Sequence, residues 1–465
     1  MDRVADSAAH DEAFFRRRIC GRNGHRSFTW DLRSKFMHDT LSAGSSATLK
    51  QKPVSVPFFR PHIGEDEIDE VVKTLRSGWL TTGPKVRLFE QEFAEAVNAR
   101  FAVAVNSCTA ALHLAADAIG LREGEAVLIP TMTFAATAEI ILYKKAVPVL
   151  VDCDPVTGNM DLVDAERKIE KLRNRNLPYL HGRELKVVGM IPVHVGGYMM
   201  NVDQVQEFAA AHGIWVIEDA AHAFPAAWRS GPNSKWRMCG EDTAAVTCYS
   251  FYANKTITTG EGGMAVTDDK AVAESMRLMS LHGLSNDAWG RFSGGSGGWD
   301  YRIVQPGYKY NLTDIAAAIG CHQLRRAEEM RKQREAVAEF YLASLADVKE
   351  LSLPVSDEDR LHSWHLFPIR LKLNRLTIDR NRFMEELKRI GVGCSVHWRP
   401  LHLHPLYSER LGWNENHLPA ATRRWKETIS LPIFSSMSFE EMVHVAESVK
   451  KLCSEYSLST LSRAG

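Results

Sequence analysis

A single lysine lies between an apolar strand and a glycine-rich turn in residues 247–263, which read TCYSFYANKTITTGEGG. Gly260, Gly262 and Gly263 predict a chain reversal through positive φ. Such a turn holds Lys255 at a fixed point near a sheet edge. A lysine in a partly dry pocket loses its proton more easily and can form a Schiff base with a carbonyl. A solvated loop lysine is the alternative interpretation.

A carboxylate is predicted at the end of a second buried strand, in residues 213–222, which read GIWVIEDAAH. This β-rich apolar run places Asp219 at the carboxyl end of a strand, where open α/β sheets bind ligands. Pyridoxal phosphate (PLP) requires an amine for its aldehyde and an anion for its pyridinium nitrogen. At roughly 4 Å and an effective dielectric near 20, such an ion pair is worth on the order of 4 kcal/mol, or about three pKa units. The alternative role of Asp219 is to cap a following helix.

Two motifs therefore occur together in this chain. The first is EDAAH at residues 218–222, and the second consists of Ser250-Phe251, Lys255 and GEGG at residues 260–263. In combination they resemble the nucleotide-sugar aminotransferases of the DegT/StrS type. These are fold-type I PLP-dependent enzymes of the aspartate aminotransferase superfamily.

The resemblance extends from about residue 57 to about residue 452 and implies a fold. We expect the α/β architecture of the fold-type I PLP-dependent transferases, with a mainly parallel seven-stranded sheet flanked by helices and a smaller C-terminal α/β domain. The predicted boundaries are 53–325 for the large PLP-binding domain and 326–465 for the small domain. Residues 1–52 are polar and aperiodic, and we expect a disordered extension there.

A phosphate site is predicted where an apolar strand turns into an alanine-rich helix. Ser107, Cys108 and Thr109 occupy this turn. Free amides at a helix start, together with two hydroxyl groups, form an anion site that suits a phosphate. An ordinary Ser/Thr helix cap is the alternative. The family usually has glycine where this chain has Cys108.

The resemblance implies that further side chains surround the cofactor. Phe134 matches an aromatic residue that stacks on the pyridine ring, although core packing is an alternative. His222 matches a histidine or glutamine beside the ring. It follows Asp219 by three residues, so one helical turn would bring both to the cofactor, and a helix-capping role is the alternative. Ser250, in the lysine motif, is expected to help hold the cofactor.

A segment near residue 309 is expected to reach the active site of a second subunit, because relatives form homodimers with shared active sites. Many relatives read Gly-Tyr-Asn-Tyr-Arg here, whereas this chain has Lys309 and Asn311. This version resembles enzymes that make 4-amino-4-deoxy sugars for lipopolysaccharide. A lysine suits the cofactor phosphate or a substrate diphosphate. An exposed loop lysine is the alternative.

The resemblance implies substrate contacts at Trp79, Thr81 and His397, and His194, at the end of a predicted strand, is a further candidate. For the loop that carries the first two, a plain structural turn is an alternative. For His194 the alternative is a buried structural histidine.

Composition argues against several other classes of protein. The 57 basic residues balance the 57 acidic ones without a basic stripe, which argues against nucleic acid or an anionic membrane as partner. No uncharged apolar run approaches about 18 residues, so no membrane span is predicted. The eight cysteines are scattered, which indicates reduced thiols in the cytoplasm. His397, His402 and His404 lack a consistent ligand geometry, so no metal site is proposed.

These observations favour a homodimeric PLP-dependent aminotransferase. By resemblance, it moves an amino group from L-glutamate to a nucleotide-linked keto-sugar, such as a 4-keto-6-deoxyhexose, for cell-surface polysaccharide. Lys255 would bind the cofactor and shuttle the proton. One alternative is a PLP-dependent sugar dehydratase, although those relatives have histidine in place of the lysine. Another is a non-catalytic, PLP-binding regulatory protein.

Overall fold

The computed structural model describes residues 54–174, 176–177, 185–285 and 301–461, so the predicted extension over 1–52 lies outside the described residues. The strands are β1 (Phe101–Val105), β2 (Ala126–Pro130), β3 (Val147–Val151), β4 (Val187–Met190), β5 (Trp215–Asp219), β6 (Ala227–Trp228), β7 (Arg237–Met238), β8 (Val246–Ser250), β9 (Gly263–Thr267), β10 (Leu351–Ser352), β11 (Arg360–Leu361), β12 (Phe367–Leu371) and β13 (Thr428–Leu431).

The helices alternate with the strands over the larger part of the chain. They are α1 (Glu65–Ser77), α2 (Pro84–Ala96), α3 (Cys108–Ala118), α4 (Ala136–Tyr143), α5 (Leu162–Arg173), α6 (Val202–His212), α7 (Lys270–Ser280), α8 (Asp314–Arg325), α9 (Ala327–Leu345), α10 (Arg380–Arg389), α11 (Pro405–Leu411), α12 (Pro419–Glu427), α13 (Phe439–Glu455) and α14 (Leu458–Leu461). None of these helices is long and apolar enough to cross a membrane.

A seven-stranded sheet, in the order β1-β9-β8-β5-β4-β2-β3, forms the centre of the larger part. β9 runs antiparallel to both of its neighbours, whereas β8, β5, β4, β2 and β3 pair in parallel. This confirms the expected α/β fold with a mainly parallel sheet. β5 and β8 are adjacent and parallel, and Asp219, the last residue of β5, pairs with Cys248, two residues before the end of β8. The two sequence motifs therefore meet at one edge of the sheet.

The sheet is covered on both faces. Val103 and Val105 of β1 belong to one hydrophobic core, and Ala102 and Ala104 belong to another. Because successive side chains of a strand point to opposite faces, these cores lie on opposite sides of the sheet. This double burial explains why strands such as β2 read as uninterrupted apolar runs.

The helical stretch from residue 314 to residue 345 consists of two helices. α8 ends at Arg325, and α9 begins at Ala327. The residue between them, Arg326, leaves the helical conformation with φ −101° and ψ 2°. Its guanidinium lies 3.0 Å from the Glu67 carboxylate on α1, and this tertiary ion pair fixes the chain where the helical path breaks.

A second, antiparallel sheet of three strands, in the order β10-β12-β13, lies in the C-terminal part. Its own hydrophobic core includes Tyr341, Phe367 and Phe383, and Val56 from the start of the described chain packs into it. Leu401 belongs instead to a core of the large sheet. The domain boundary between residues 325 and 326 remains a prediction. Val56 lies before it but packs in the core of the small sheet, and Leu401 lies after it but packs in a core of the large sheet.

Residues 391–397 run between the small sheet and the start of the described chain without forming a strand. This segment makes single bridges at Val392 and Ser395, to Val56 and Ser430 respectively, and does not form a ladder. The segment lies between residues 56–58 and β13. On the first side the packing is close, because a Cβ on Gly393 would lie 2.6 Å from the backbone nitrogen of Phe58. Each neighbour takes only one or two residues of the segment, which is too few for a continuous strand.

Candidate active site

The lysine turn is packed directly against the start of α3. Gly260 has a positive φ of 81°, as predicted, but the other two glycines of the turn have a different reason. A Cβ on Gly263 would lie 2.5 Å from the carbonyl carbon of Ser107 and 2.6 Å from the nitrogen of Cys108. A Cβ on Gly262 would lie 2.2 Å from a threonine hydroxyl. Close approach, rather than positive φ, therefore requires glycine at these two positions.

A cavity of about 440 Å³ opens at this edge of the sheet. It brings together many of the predicted site residues, namely Ser107, Cys108, Thr109, Phe134, Asp219, His222, Ser250, Lys255 and His397. Among the described residues, Trp79, Thr81, His194, Lys309 and Asn311 do not line it.

The Asp219 carboxylate is buried at the end of β5, as predicted. Its Oδ2 accepts a hydrogen bond from the Thr137 hydroxyl at 2.7 Å, and its Oδ1 accepts one from the Ala221 N–H at 3.1 Å. Burial raises the pKa of this carboxyl, whereas the two hydrogen bonds and the charge of Lys255 oppose that rise. A nearby cation would favour its charged form further.

Asp219 and His222 do not share a helix. The residues from Ala220 to Ala226 form turns, so the expected helical spacing of the two side chains is wrong, and so are the helix-cap alternatives. The His222 ring is held instead by the Gly196 N–H, which donates to its Nδ1 at 3.2 Å.

The Lys255 ammonium is enclosed among the residues of the cavity. Burial lowers the pKa of Lys255 to about 8, with the charge of Asp219 opposing this effect and that of Arg334 adding to it. Its Nζ lies 3.4 Å from Nε2 of His365. A lysine of this kind is partly neutral close to physiological pH and can act as a nucleophile or base.

The start of α3, where the sequence predicts a phosphate site, lines the same cavity as the lysine. Ser107 caps the helix, because its Oγ accepts a hydrogen bond from the Ala110 N–H at 3.1 Å. The cap alternative thus describes the Ser107 side chain, and Ser107, Cys108 and Thr109 all line the cavity. Burial raises the pKa of the Cys108 thiol well above its usual value, so this residue contributes a small neutral group.

Phe134 is 64% exposed, although it is aromatic. It lines the cavity, so the core-packing alternative is wrong. An exposed aromatic ring at a cavity mouth provides a face for a planar ligand.

His365 and Trp398, which the sequence did not predict, form a wall of rings in the cavity together with the predicted His222 and His397. The His222 ring stacks on Trp398 at 5.1 Å between centroids and lies 4.2 Å from the ring of His365. His397 completes the wall, with its Nδ1 2.9 Å from the Ser430 hydroxyl. Burial lowers the pKa of all three histidines, to about 4 for His397, so the wall is uncharged at neutral pH.

Weak signals for this wall exist in the sequence. Residues 362–365 read HSWH directly before β12, and Trp398 follows His397. Such clusters of rings do not indicate by themselves which domain surface they face, so only the folded chain reveals their position.

His194 lies apart from the cavity, as the structural alternative proposed. It is 1% exposed, its Nδ1 accepts from the Met200 N–H, and its Nε2 lies 3.4 Å from the Glu218 carboxylate. The sulfur of Cys239 is close enough that the three donor atoms lie within 4.8 Å of one another. The second Glu218 oxygen accepts from two threonines, Thr243 and Thr247, so the carboxylate is satisfied without an ion.

The predicted substrate loop and the predicted partner-reaching segment contact each other. The Trp79 indole donates to the Thr82 carbonyl at 3.2 Å, and the Asn311 amide donates to the Thr82 hydroxyl at 2.8 Å. The Thr81 carbonyl accepts from the Asp314 N–H. The Lys309 ammonium donates to the Asn311 side chain. These residues form one unit outside the cavity lining of their own chain.

The residues of the cavity fit PLP. A partly buried lysine of lowered pKa, a buried carboxylate and the start of a helix line one cavity, and the glycines of the lysine turn let this turn pack closely against that helix start. Together with the sheet topology, they define a fold-type I PLP-dependent transferase.

The chain belongs to the DegT/DnrJ/EryC1/StrS aminotransferase family, whose profile matches residues 61–450. It is 41% identical over 400 residues to MJ1066 of Methanocaldococcus jannaschii, covering 86% of this chain and 98% of that one. It is 40% identical over 398 residues to the spore coat polysaccharide biosynthesis protein SpsC of Bacillus subtilis, covering 85% and 97%.

A solved structure with the same fold is Spr1654 from Streptococcus pneumoniae in its PLP form. It is 30% identical, with a TM-score of 0.75, and the match covers 86% of this chain and 99% of that one. The family and this neighbour establish a PLP-dependent aminotransferase.

Proposed function

We propose that this protein transfers an amino group from L-glutamate to the keto group of a nucleotide-linked sugar. The observation that carries the proposal is that Lys255 and Asp219 line one cavity with the start of α3. The uncharged wall, whose residues His222, His365, His397 and Trp398 line the same cavity, suits a neutral sugar ring. The name of SpsC, a polysaccharide biosynthesis protein, supports a sugar as the acceptor.

Several side chains of this chain would hold the cofactor. The amides and hydroxyl groups of Ser107 and Thr109 suit its phosphate, and Phe134 offers a face to its ring. Asp219 would face the pyridine nitrogen, where its negative charge favours the protonated ring. PLP, when bound, supplies an aldehyde that takes up an amino group and a ring that withdraws electrons.

Lys255 would perform the proton transfers of both halves of the reaction. Its ε-amino group takes a proton from the α-carbon side of the donor and returns it on the cofactor side. In the second half it moves a proton in the opposite direction for the sugar. A pKa of about 8 suits this role, because the group then gains and loses a proton readily near neutral pH.

We also propose a homodimer in the cytoplasm. Lys309 and Asn311 would reach the cavity of the partner subunit, where a cation suits the cofactor phosphate or a sugar diphosphate. These side chains lie outside the cavity of their own chain. The described cysteines are all unpaired, in keeping with a reducing compartment.

Absorbance of the purified protein tests the reaction class. The cofactor linked to Lys255 gives a yellow band, and L-glutamate is expected to remove it while 2-oxoglutarate is released. Addition of 2-oxoglutarate should restore the band. A protein that binds PLP but whose spectrum is unchanged by glutamate, and by a panel of other amino acids, would contradict the proposal.

A panel of nucleotide-linked keto-sugars tests the acceptor. The glutamate-treated enzyme is mixed with 4-keto-6-deoxy and 3-keto sugars on different nucleotides, and return of the yellow band is recorded together with the mass of the aminated product. We expect the 4-keto-6-deoxy class to react fastest. Reaction with simple 2-oxo acids alone would exclude a sugar acceptor.

A further inference from the structure

We propose that His365 is a positioning residue that holds the ε-amino group of Lys255 in both of its protonation states. This inference rests on the proposed role of Lys255. The geometry is a 3.4 Å contact between Nζ and Nε2, made across the two parts of the chain. The lysine lies on the turn after β8, and the histidine lies shortly before β12 of the smaller sheet.

The contact is unusual for a lysine inside a cavity because its hydrogen-bond partner among the described residues is an imidazole. By contrast, Lys168 is buried and lies 3.1 Å from the carboxylate of Asp164. A carboxylate so close to Lys255 would stabilise the ammonium and keep the amine from forming. A neutral imidazole provides direction without adding a charge.

His365 stays neutral because of its surroundings. Burial lowers its pKa well below the usual value, and the positive charges of Lys255 and Arg334 act in the same direction. The ring packs against that of His222 at 4.2 Å. Its Nδ1 is buried and has no hydrogen-bond partner in the described structure, so no neighbouring group fixes which nitrogen carries the proton.

A neutral imidazole can serve either form of the lysine. When Lys255 is an ammonium, it donates to an unprotonated Nε2. When Lys255 is an amine, Nε2 can carry the proton and donate to the amine lone pair. Because the described structure does not pin the tautomer through Nδ1, either arrangement is accessible.

The histidine itself is held firmly in place. The Arg334 guanidinium on α9 is buried and donates to the carbonyl oxygens of Trp364 at 3.2 Å, His365 at 3.5 Å and Ile433 at 3.0 Å. It thereby fixes the backbone that carries the imidazole. The position of the lysine amine is in this way linked to the smaller sheet.

The test measures the protonation of Lys255 directly, without turnover. Cofactor-free protein is treated briefly with acetic anhydride across a pH range, and acetylation of Lys255 is followed by mass spectrometry. The wild-type midpoint is expected at about pH 8. Cys108, Asp219 and Arg334 act on the pKa of this lysine. The lysine in turn acts on the pKa values of His222, His365 and His397.

Three variants separate the hydrogen bond from packing. His365→Phe fills the space but cannot accept a hydrogen bond from the Lys255 ammonium. Because hydrogen bonds to charged groups are stronger than those to neutral groups, we expect the acetylation midpoint to fall by about one pH unit. His365→Gln can donate and accept, and it should return the midpoint close to wild type. His362→Phe is the matched control, because His362 is a buried neutral histidine of the same segment, stacked on Trp364 at 3.9 Å.

Turnover provides a second readout. For His365→Phe we expect kcat to fall about tenfold, while the KM of either substrate stays within twofold of the wild-type value. His365→Gln should recover most of the lost kcat. A His365→Phe midpoint equal to that of wild type would overturn the proposal, and so would a His365→Gln midpoint as low as that of His365→Phe. A wild-type midpoint near that of a solvated lysine, about 10.4, would instead count against the proposed role of Lys255 itself.

Discussion

The Thr137 hydroxyl donates a 2.7 Å hydrogen bond to the carboxylate of Asp219, and both groups are buried. The Thr133 hydroxyl lies 2.7 Å from that of Thr137 and extends the chain of hydrogen bonds. This relay ties the carboxylate at the end of β5 to the first turn of α4. It opposes the effect of burial, which raises the pKa of Asp219.

Thr137→Val should therefore weaken the enzyme on the acidic side. The variant keeps the shape but removes a hydrogen bond that favours the charged carboxylate, so the pKa of Asp219 rises further. Activity should be lost at a higher pH than in wild type, and kcat at neutral pH should fall about tenfold. The pH profile of the glutamate half-reaction checks this.

A matched control for that experiment is Thr243→Val. Thr243 also donates to a buried carboxylate of β5, but its partner is Glu218, which does not line the cavity. We expect this variant to be less stable than wild type, while the pH at which its activity is lost on the acidic side of the profile is unchanged. If both variants shifted this pH equally, the shift would come from a general loss of stability and not from the pKa of Asp219.

Asp219→Asn should leave a folded protein that retains PLP but reacts slowly. The amide preserves the size of the side chain and removes its charge, so the pyridine nitrogen loses an ion pair worth on the order of 4 kcal/mol. That corresponds to about a 10³-fold loss of rate. Single-turnover absorbance after mixing with glutamate measures it, and a rate equal to wild type would leave Asp219 a purely structural role.

Lys255→Ala should bind cofactor without turning over. The α3 start, Phe134 and Asp219 remain available to hold the phosphate and ring. Loss of a positioned acid–base group costs about 10²–10⁴ in rate, and loss of the covalent link adds to this. Steady-state amination of a keto-sugar nucleotide is the measurement. Turnover within tenfold of wild type would place the chemistry on another residue.

Lys255→Met should stabilise the cofactor-free protein at neutral pH. The pKa of Lys255 is about 8 in the folded chain, against about 10.4 for a solvated lysine. The unfolded chain therefore binds this proton more tightly than the folded chain, and the difference lowers the free energy of unfolding. The cost is on the order of 3 kcal/mol below pH 8 and disappears as pH rises towards about 10.4. The increase in Tm should shrink over the same interval.

Lys168→Met is the control for this stability measurement. Lys168 is more deeply buried than Lys255 and is paired with Asp164, so its removal leaves a carboxylate without its partner. We expect a lower Tm at every pH from 7 to about 10. A similar loss in Lys255→Met would mean that its ammonium is well solvated or paired in solution.

The sequence predicted the strand ends and the lysine turn because these depend on local patterns. An apolar run that ends in an acid, such as residues 215–219, indicates a buried strand and its polar end without knowledge of the rest of the fold. The His222 geometry was wrong because no helix follows that strand. Whether His365 or Trp398 faces the cavity depends on how the smaller sheet packs, which the pattern of one segment does not contain.

A shared active site is the last prediction. Lys309 and Asn311 contact each other, and Asn311 also bonds to Thr82. The backbone of this segment is fixed by the Asn106 N–H, which donates to the Tyr310 carbonyl at 2.7 Å, close to the predicted phosphate site. If these side chains serve the cavity of a partner subunit, two inactive chains should restore one another.

Co-expression of Lys255→Ala with a Lys309→Ala/Asn311→Ala chain tests this. In a mixed dimer, one cavity would combine an intact Lys255 from one chain with an intact Lys309 and Asn311 from the other, while the second cavity would lack both. A mixed dimer should therefore show about half of the wild-type activity, and each homodimer should show almost none. Two different affinity tags allow the mixed dimer to be isolated. An isolated mixed dimer no more active than the two homodimers would mean that the segment serves its own subunit or neither.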